Sequence, residues 1–319
     1  MALPKFVTIT EVGPREGMQF EKGPIPTDAK IRLVDMLSDC SFKTIEVTSF
    51  VSPKWVPQMA DAEEVARGFR RRPGTEYSCV VLNAKGLERA VATGKFDIRG
   101  MVYAAASELF SKKNMNRSIE ESYVELETRV GVFKELRLPL EQIGIMAAFG
   151  CNYEGDIDPN HVVKIVARML DITKSRGVDI NTISLADTMG WATPLTIRRL
   201  VGMIQDRWPK RTLCLHLHDT RGLGLANAFA AMEMGVVEFD AAVGGLGGCP
   251  YGGFKGAAGN IVTEDLVHMC HEMGIETGID LDKLILAARE AERIVGHPLP
   301  GKLIRGAPLS SYRKARAAT

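Results

Sequence analysis

From Phe6 to Met273 the chain alternates without interruption between short stretches of strand character and longer runs with helical periodicity. Apolar residues recur every second position in the first kind and every three to four positions in the second. The predicted strands are Phe6–Glu11, Thr44–Phe50, Tyr77–Leu82, Asp97–Ala105, Ile143–Phe149, Thr182–Ala186, Leu213–Thr220 and Phe239–Val243. Helical runs follow at Ala29–Cys40, Asp61–Arg71, Lys85–Ala92, Ser118–Arg137, Asn160–Ser175, Pro194–Trp208, Leu225–Met234 and Glu264–Met273, with an additional helix at Leu281–Val295. Eight strands alternating with eight helices is the requirement of one (β/α)₈ TIM barrel. The chain is therefore expected to form a single domain over residues 1–319, with the barrel at about 6–275 and a C-terminal helix and tail at 276–319. A doubly wound sheet is the structural rival. Its dinucleotide-binding glycine pattern is missing after the first strand, where Gly13-Pro-Arg-Glu-Gly17 stands instead.

Composition narrows the function. A formal net charge of +1 offers no electrostatic attraction for nucleic acid or an anionic membrane surface. No run of about 18 apolar residues suggests a membrane span, and the opening residues lack the apolar core of a signal peptide. The 6 cysteines are scattered, with no CxxC pair, which argues against a disulfide framework or a structural zinc site and is simplest in a cytoplasmic setting. The basic tail with Arg313, Lys314 and Arg316 is expected to be a solvated end.

Polar outliers in the strands locate the chemistry. Leu213, Leu215 and Leu217 alternate with Cys214, His216 and His218, so one face of the seventh strand is leucine and the other carries two imidazoles. A buried strand between helices is normally apolar on both faces. The histidines are either hydrogen-bonded core residues or ligands of one divalent ion. Active sites of such barrels lie at the C-terminal ends of the strands. Arg15 and Glu16 follow strand one, Glu46 lies in strand two, Asp187 ends strand six, and Cys249 and Asn260 lie in the loop after strand eight. Two imidazoles with a carboxylate and an amide oxygen suit Mg²⁺ or Mn²⁺ better than zinc. Arg15 reads either as a structural ion pair or as a cation placed where negative charge develops. Cys249 sits in a glycine-rich loop and is a plausible proton donor or nucleophile. His161, His268, His271 and His297 read as surface or packing residues.

Five stretches together resemble the 3-hydroxy-3-methylglutaryl-CoA lyase family: Val12-Gly-Pro-Arg-Glu-Gly-Met-Gln19, Glu46-Val-Thr-Ser-Phe-Val-Ser-Pro-Lys-Trp-Val-Pro-Gln-Met59, Ala105-Ala-Ser-Glu-Leu-Phe-Ser-Lys-Lys-Asn114, His216-Leu-His-Asp-Thr220 and Gly245-Leu-Gly-Gly-Cys-Pro-Tyr251. The resemblance runs from about residue 6 to about 290. It implies a metal-dependent lyase that cleaves an acyl-CoA substrate, 3-hydroxy-3-methylglutaryl-CoA, to acetyl-CoA and acetoacetate. It also suggests a homodimer. Carried over by position, it makes Glu16, His216, His218 and Asn260 the metal ligands, Asp187 the base, Arg15 the enolate-stabilising cation, Cys249 the proton donor and Glu46 a supporting residue. Three positions depart from the family pattern: Glu16 replaces the usual aspartate, Phe20 replaces a polar residue, and Tyr251–Gly256 carries two extra residues. All three bear on the acyl group, so a lyase for citramalyl-CoA or a longer branched homologue is the alternative. A Claisen-condensing acyltransferase is a more distant one.

Overall fold

The computed structural model describes residues 3–247 and 258–317. Its centre is a curled sheet of eight parallel strands: β1 (Thr8–Glu11), β2 (Thr44–Ser49), β3 (Glu76–Val80), β4 (Gly100–Ala105), β5 (Leu140–Met146), β6 (Thr182–Ala186), β7 (Thr212–His216) and β8 (Glu238–Ala241). The hydrogen-bonded order is β3-β2-β1-β8-β7-β6-β5-β4, so the first and last strands in sequence are neighbours, as barrel closure demands. Among the described residues, the seam between β3 and β4 carries no strand ladder. There Asp97 spans the gap, its N–H donating to the Tyr77 carbonyl (2.8 Å) and its carboxylate accepting from the Tyr77 N–H (2.9 Å). This explains why the fourth strand starts at Gly100 rather than at the expected Asp97.

Helices lie outside the sheet: α1 (Thr27–Ser38), α2 (Ala62–Gly68), α3 (Ala84–Ala92), α4 (Glu108–Met115), α5 (Ile119–Glu135), α6 (Pro159–Ser175), α7 (Pro194–Arg207), α8 (Gly224–Glu233), α9 (Thr263–Glu272), α10 (Leu281–Val295) and α11 (Leu309–Ala317). The period-2 pattern sorts each strand's side chains. Ile9, Ile45, Ile143, Ile183, Leu185, Leu213, Leu215 and Phe239 are buried and join one core with α-helical residues such as Leu33, Leu37, Val166, Leu200 and Ile204. At about 25 cal/mol per Å² of apolar surface, this layer is what favours the closed arrangement. Thr10, Glu46, Ser184, Cys214, His216 and Asp240 alternate with those apolar residues and take the opposite face. The interior of the wheel is thus polar near its mouth.

Local signals behave as chemistry requires. Ser118 and Glu121 form both halves of a capping box at the start of α5. Gly177 follows α6 with φ +73°, a left-handed geometry that ends the helix. Two helices lie where no helical run is assigned from the sequence. The polar stretch Ser107–Asn114 holds α4, because the Ser107 hydroxyl accepts from the Phe110 N–H and caps it. The C-terminal tail is helical, and Arg313 pairs with Glu272 on α9 at 2.8 Å. Among the described residues, no helix is long and apolar enough to cross a membrane, and the cysteines are unpaired.

Candidate active site

The strand ends bring seven of the eight predicted site residues to described positions, and five of them meet at the mouth of the barrel. After β1 the chain makes a π-helical turn, Gly13–Gly17. The wide turn, which is frequent at functional sites, carries Arg15 and Glu16 over the strand ends. Arg15 bridges two carboxylates: its Nε donates to Glu46 Oε1 on β2, and its Nη2 to Glu16 Oε2 at 2.8 Å. The other Glu16 oxygen, Oε1, lies 3.1 Å from His216 Nε2 and 3.8 Å from His218 Nε2. The two Nε2 atoms are 3.3 Å apart. The extra methylene of Glu16 is used here to span from the guanidinium to the imidazole pair.

Register explains one residue that the sequence reading missed. β7 and β8 pair His216 with Asp240, side by side on the inner face. Asp240 Oδ2 sits 3.1 Å from His216 Nδ1, which orients the ring so that Nε2 faces Glu16. A carboxylate behind an imidazole is the usual outer support of a metal-binding histidine. The signal was available in principle, because Glu238 and Asp240 alternate with Phe239 and Ala241.

His218 lies just beyond β7 rather than within it, and forms an isolated antiparallel bridge with Asn260. Asn260 is buried; its Nδ2 donates to the Leu246 carbonyl (3.2 Å), while its Oδ1 is buried without a hydrogen-bond partner among the described residues. Asp187, at the end of β6, is likewise buried. Its Oδ1 accepts from the Trp191 and Ala192 N–H groups at 2.7 and 3.0 Å, and its Oδ2 is buried without such a partner. Buried acceptors normally find donors, so an amide oxygen and a carboxylate oxygen that no described residue satisfies, beside a histidine pair, point to groups that the described residues do not supply. Cys249 lies outside the described residues.

Charge and burial shift the proton affinities of the cluster. Burial alone would raise Glu16, but His216 and Arg15 outweigh it and hold its carboxyl well below the usual carboxylate range. For His216, burial would favour the neutral ring. Glu16 and Asp240 overcome it and push the imidazole up to about 10, so the two carboxylates stabilise a positive charge between them. Burial pushes Glu46 up despite the Arg15 charge. Asp187 is also raised by burial, against the Trp191 and Ala192 N–H groups and His218. Glu16, His216 and His218 are the group of ligand atoms among the described residues that could hold a metal ion, all within 4.8 Å of one another. Two imidazole nitrogens, a carboxylate and an available amide oxygen fit a divalent cation.

A family model described as HMGL-like matches residues 6–290. The cytoplasmic 3-hydroxy-3-methylglutaryl-CoA lyase of Mus musculus is 45% identical over 285 residues, covering 89% of this chain and 80% of that protein. Among solved structures, hydroxymethylglutaryl-CoA lyase from Pseudomonas aeruginosa superposes with a TM-score of 0.87 at 39% identity, covering 98% of this chain and 100% of the other. An HMG-CoA lyase from Acinetobacter baumannii in complex with coenzyme A and 3-methylmalate gives 0.84 at 38% identity, covering 96% and 97%. The match takes in all eight barrel strands and every predicted site residue, and the chain belongs to the HMGL-like family.

Proposed function

We propose that this protein is a metal-dependent lyase that cleaves 3-hydroxy-3-methylglutaryl-CoA to acetyl-CoA and acetoacetate. The observation that carries this reading is the cluster of Glu16, His216 and His218 beside Arg15, in a chain so similar to hydroxymethylglutaryl-CoA lyases. Glu16, His216, His218 and Asn260 would hold the cation, Mg²⁺ or Mn²⁺, with Asp240 supporting His216. When bound, such an ion acts as a Lewis acid on the substrate's hydroxyl and makes its proton easier to remove near neutral pH.

The chain's own groups then divide the work. Asp187 Oδ2 accepts the proton of the tertiary hydroxyl, and its raised proton affinity suits it to that task. As the C–O bond becomes a carbonyl, the bond between C2 and C3 breaks and its electron pair passes into the thioester enolate. The Arg15 guanidinium, kept charged by Glu46 and Glu16, stabilises the enolate oxygen. Cys249 gives its thiol proton to the enolate carbon, forming the methyl group of acetyl-CoA; exchange with solvent returns the Asp187 proton and reprotonates the thiolate. Glu46 keeps the Arg15 plane fixed during the change. The cytoplasmic mouse relative and the five described cysteines, all unpaired, support a cytoplasmic setting, and a homodimer is part of the same reading. The test is incubation of Mg²⁺-loaded protein with 3-hydroxy-3-methylglutaryl-CoA. Equimolar acetyl-CoA and acetoacetate are expected, and an unchanged thioester with intact metal binding would refute the reaction.

A further inference from the structure

Glu11 is a carboxylate on the wrong side of its strand. Alternation in β1 puts Thr8 and Thr10 on one face and Ile9 and Glu11 on the other, the apolar face, where Ile9 is 1% and Glu11 0% exposed. An ionisable group in that layer is unfavourable unless directed hydrogen bonds require it. Glu11 makes three. Its Oε1 accepts from the Gly13 N–H (2.8 Å) and the Val243 N–H (2.9 Å), and its Oε2 is bonded to the Thr263 hydroxyl (2.7 Å).

Each partner belongs to a segment that carries part of the site. Gly13 opens the turn that presents Arg15 and Glu16. Val243 begins the segment leading to Leu246, whose carbonyl takes the Asn260 amide. Thr263 starts α9, three residues after Asn260. The packing leaves no slack: a Cβ on Gly13 would fall 2.6 Å from Glu11 Oε1, and one on Gly17 would fall 2.4 Å from Leu246 Cβ. The turn therefore sits directly on the base of the following loop, with Glu11 as the common reference.

We infer that Glu11 is a positioning residue, which sets Glu16 and Asn260 at their mutual distance across the histidine pair by tying Gly13, Val243 and Thr263 to one buried carboxylate. The inference rests on the metal-site reading above. Glu11 acts through these three partners, being fully buried and not among the residues assigned to substrate or ion.

Calorimetric titration with Mn²⁺ tests it on the full chain, alongside thermal unfolding. Glu11→Gln keeps an acceptor for both N–H groups and a donor for the Thr263 oxygen, so its affinity is expected within about threefold of wild type. Glu11→Ala removes all three bonds and is expected to bind Mn²⁺ about 10–100-fold more weakly, as loss of outer-shell support does. Thr263→Val, which removes one bond, is expected to weaken binding about 2–10-fold. Glu11→Ala that melts earlier but binds Mn²⁺ like wild type would overturn the inference and leave a purely structural role. If that variant does not fold, Gly13→Ala and Thr263→Val decide, and wild-type affinity in both would overturn it. A wild-type protein that binds no Mn²⁺ would overturn the metal-site reading together with this one.

Discussion

Arg15→Lys separates charge from geometry. The guanidinium meets Glu46 through Nε and Glu16 through Nη2, with all three side chains only 14–16% exposed. A lysine keeps the positive charge but offers one compact ammonium on a flexible stem, which cannot serve both carboxylates and an enolate oxygen in one plane. Two losses follow. Removing a preorganised donor from a developing oxyanion is worth about 2.7–4 kcal/mol, or about 10²–10³ in kcat. Freeing Glu16 from a charge-assisted bond of about 1.5–3 kcal/mol loosens one corner of the metal set, and weakens Mn²⁺ binding by about tenfold or more. Coupled detection of acetoacetate at saturating Mn²⁺ isolates the first effect, because excess metal offsets the second. The expected result is kcat down about 10²–10³ with little change in KM for the thioester. A variant within threefold of wild type would refute the placement of Arg15 at the reacting oxygen. Full rescue by excess Mn²⁺ would reduce Arg15 to a support for Glu16.

Other consequences can be read off the same geometry. Asp240→Ala should weaken Mn²⁺ binding about 10–100-fold in calorimetry at pH 9, where proton competition at His216 is smaller, because the bond that aims His216 is lost. Cys249→Ser should lose about 10²–10⁴ in turnover with metal affinity intact, measured by acetoacetate release beside a Mn²⁺ titration. Stability should fall as pH rises from about 4.5 to 8. Burial raises Glu11 from 4.5 to about 7 and Glu264 from 4.5 to about 8, so the folded state holds protons that the unfolded chain releases. Their contribution is full below 4.5 and lost above 8; Glu11→Gln with Glu264→Gln should flatten that slope in thermal melts, Cys40 and Asp265 being the other titratable neighbours.

How much of this was legible in the chain depended on the range of the interactions. Thr182–Ala186 and Leu281–Val295 have the bounds expected from periodicity, since alternation and helical spacing are local properties. The cap at Ser118 is local for the same reason. His216 and His218 stood out because polar side chains interrupt an otherwise apolar strand. The turn at Gly13–Gly17 did not, because a proline between glycines reads as irregular whichever way it winds. The fifth strand begins at Leu140 rather than Ile143, where pairing with β4 at Gly100 sets its start. Asp240 and Glu11 were missed because their meaning lies in partners far along the chain: His216 for one, Val243 and Thr263 for the other. No pattern within one strand reveals such a partner; only the barrel order brings them together.

The most direct measurement is an anomalous diffraction map of crystals grown with Mn²⁺. One strong peak is expected, bonded to Nε2 of His216, Nε2 of His218, a Glu16 oxygen and Oδ1 of Asn260, at distances of about 2.0–2.4 Å. A peak elsewhere, or imidazoles turned away from each other around an empty centre at saturating Mn²⁺, would contradict it.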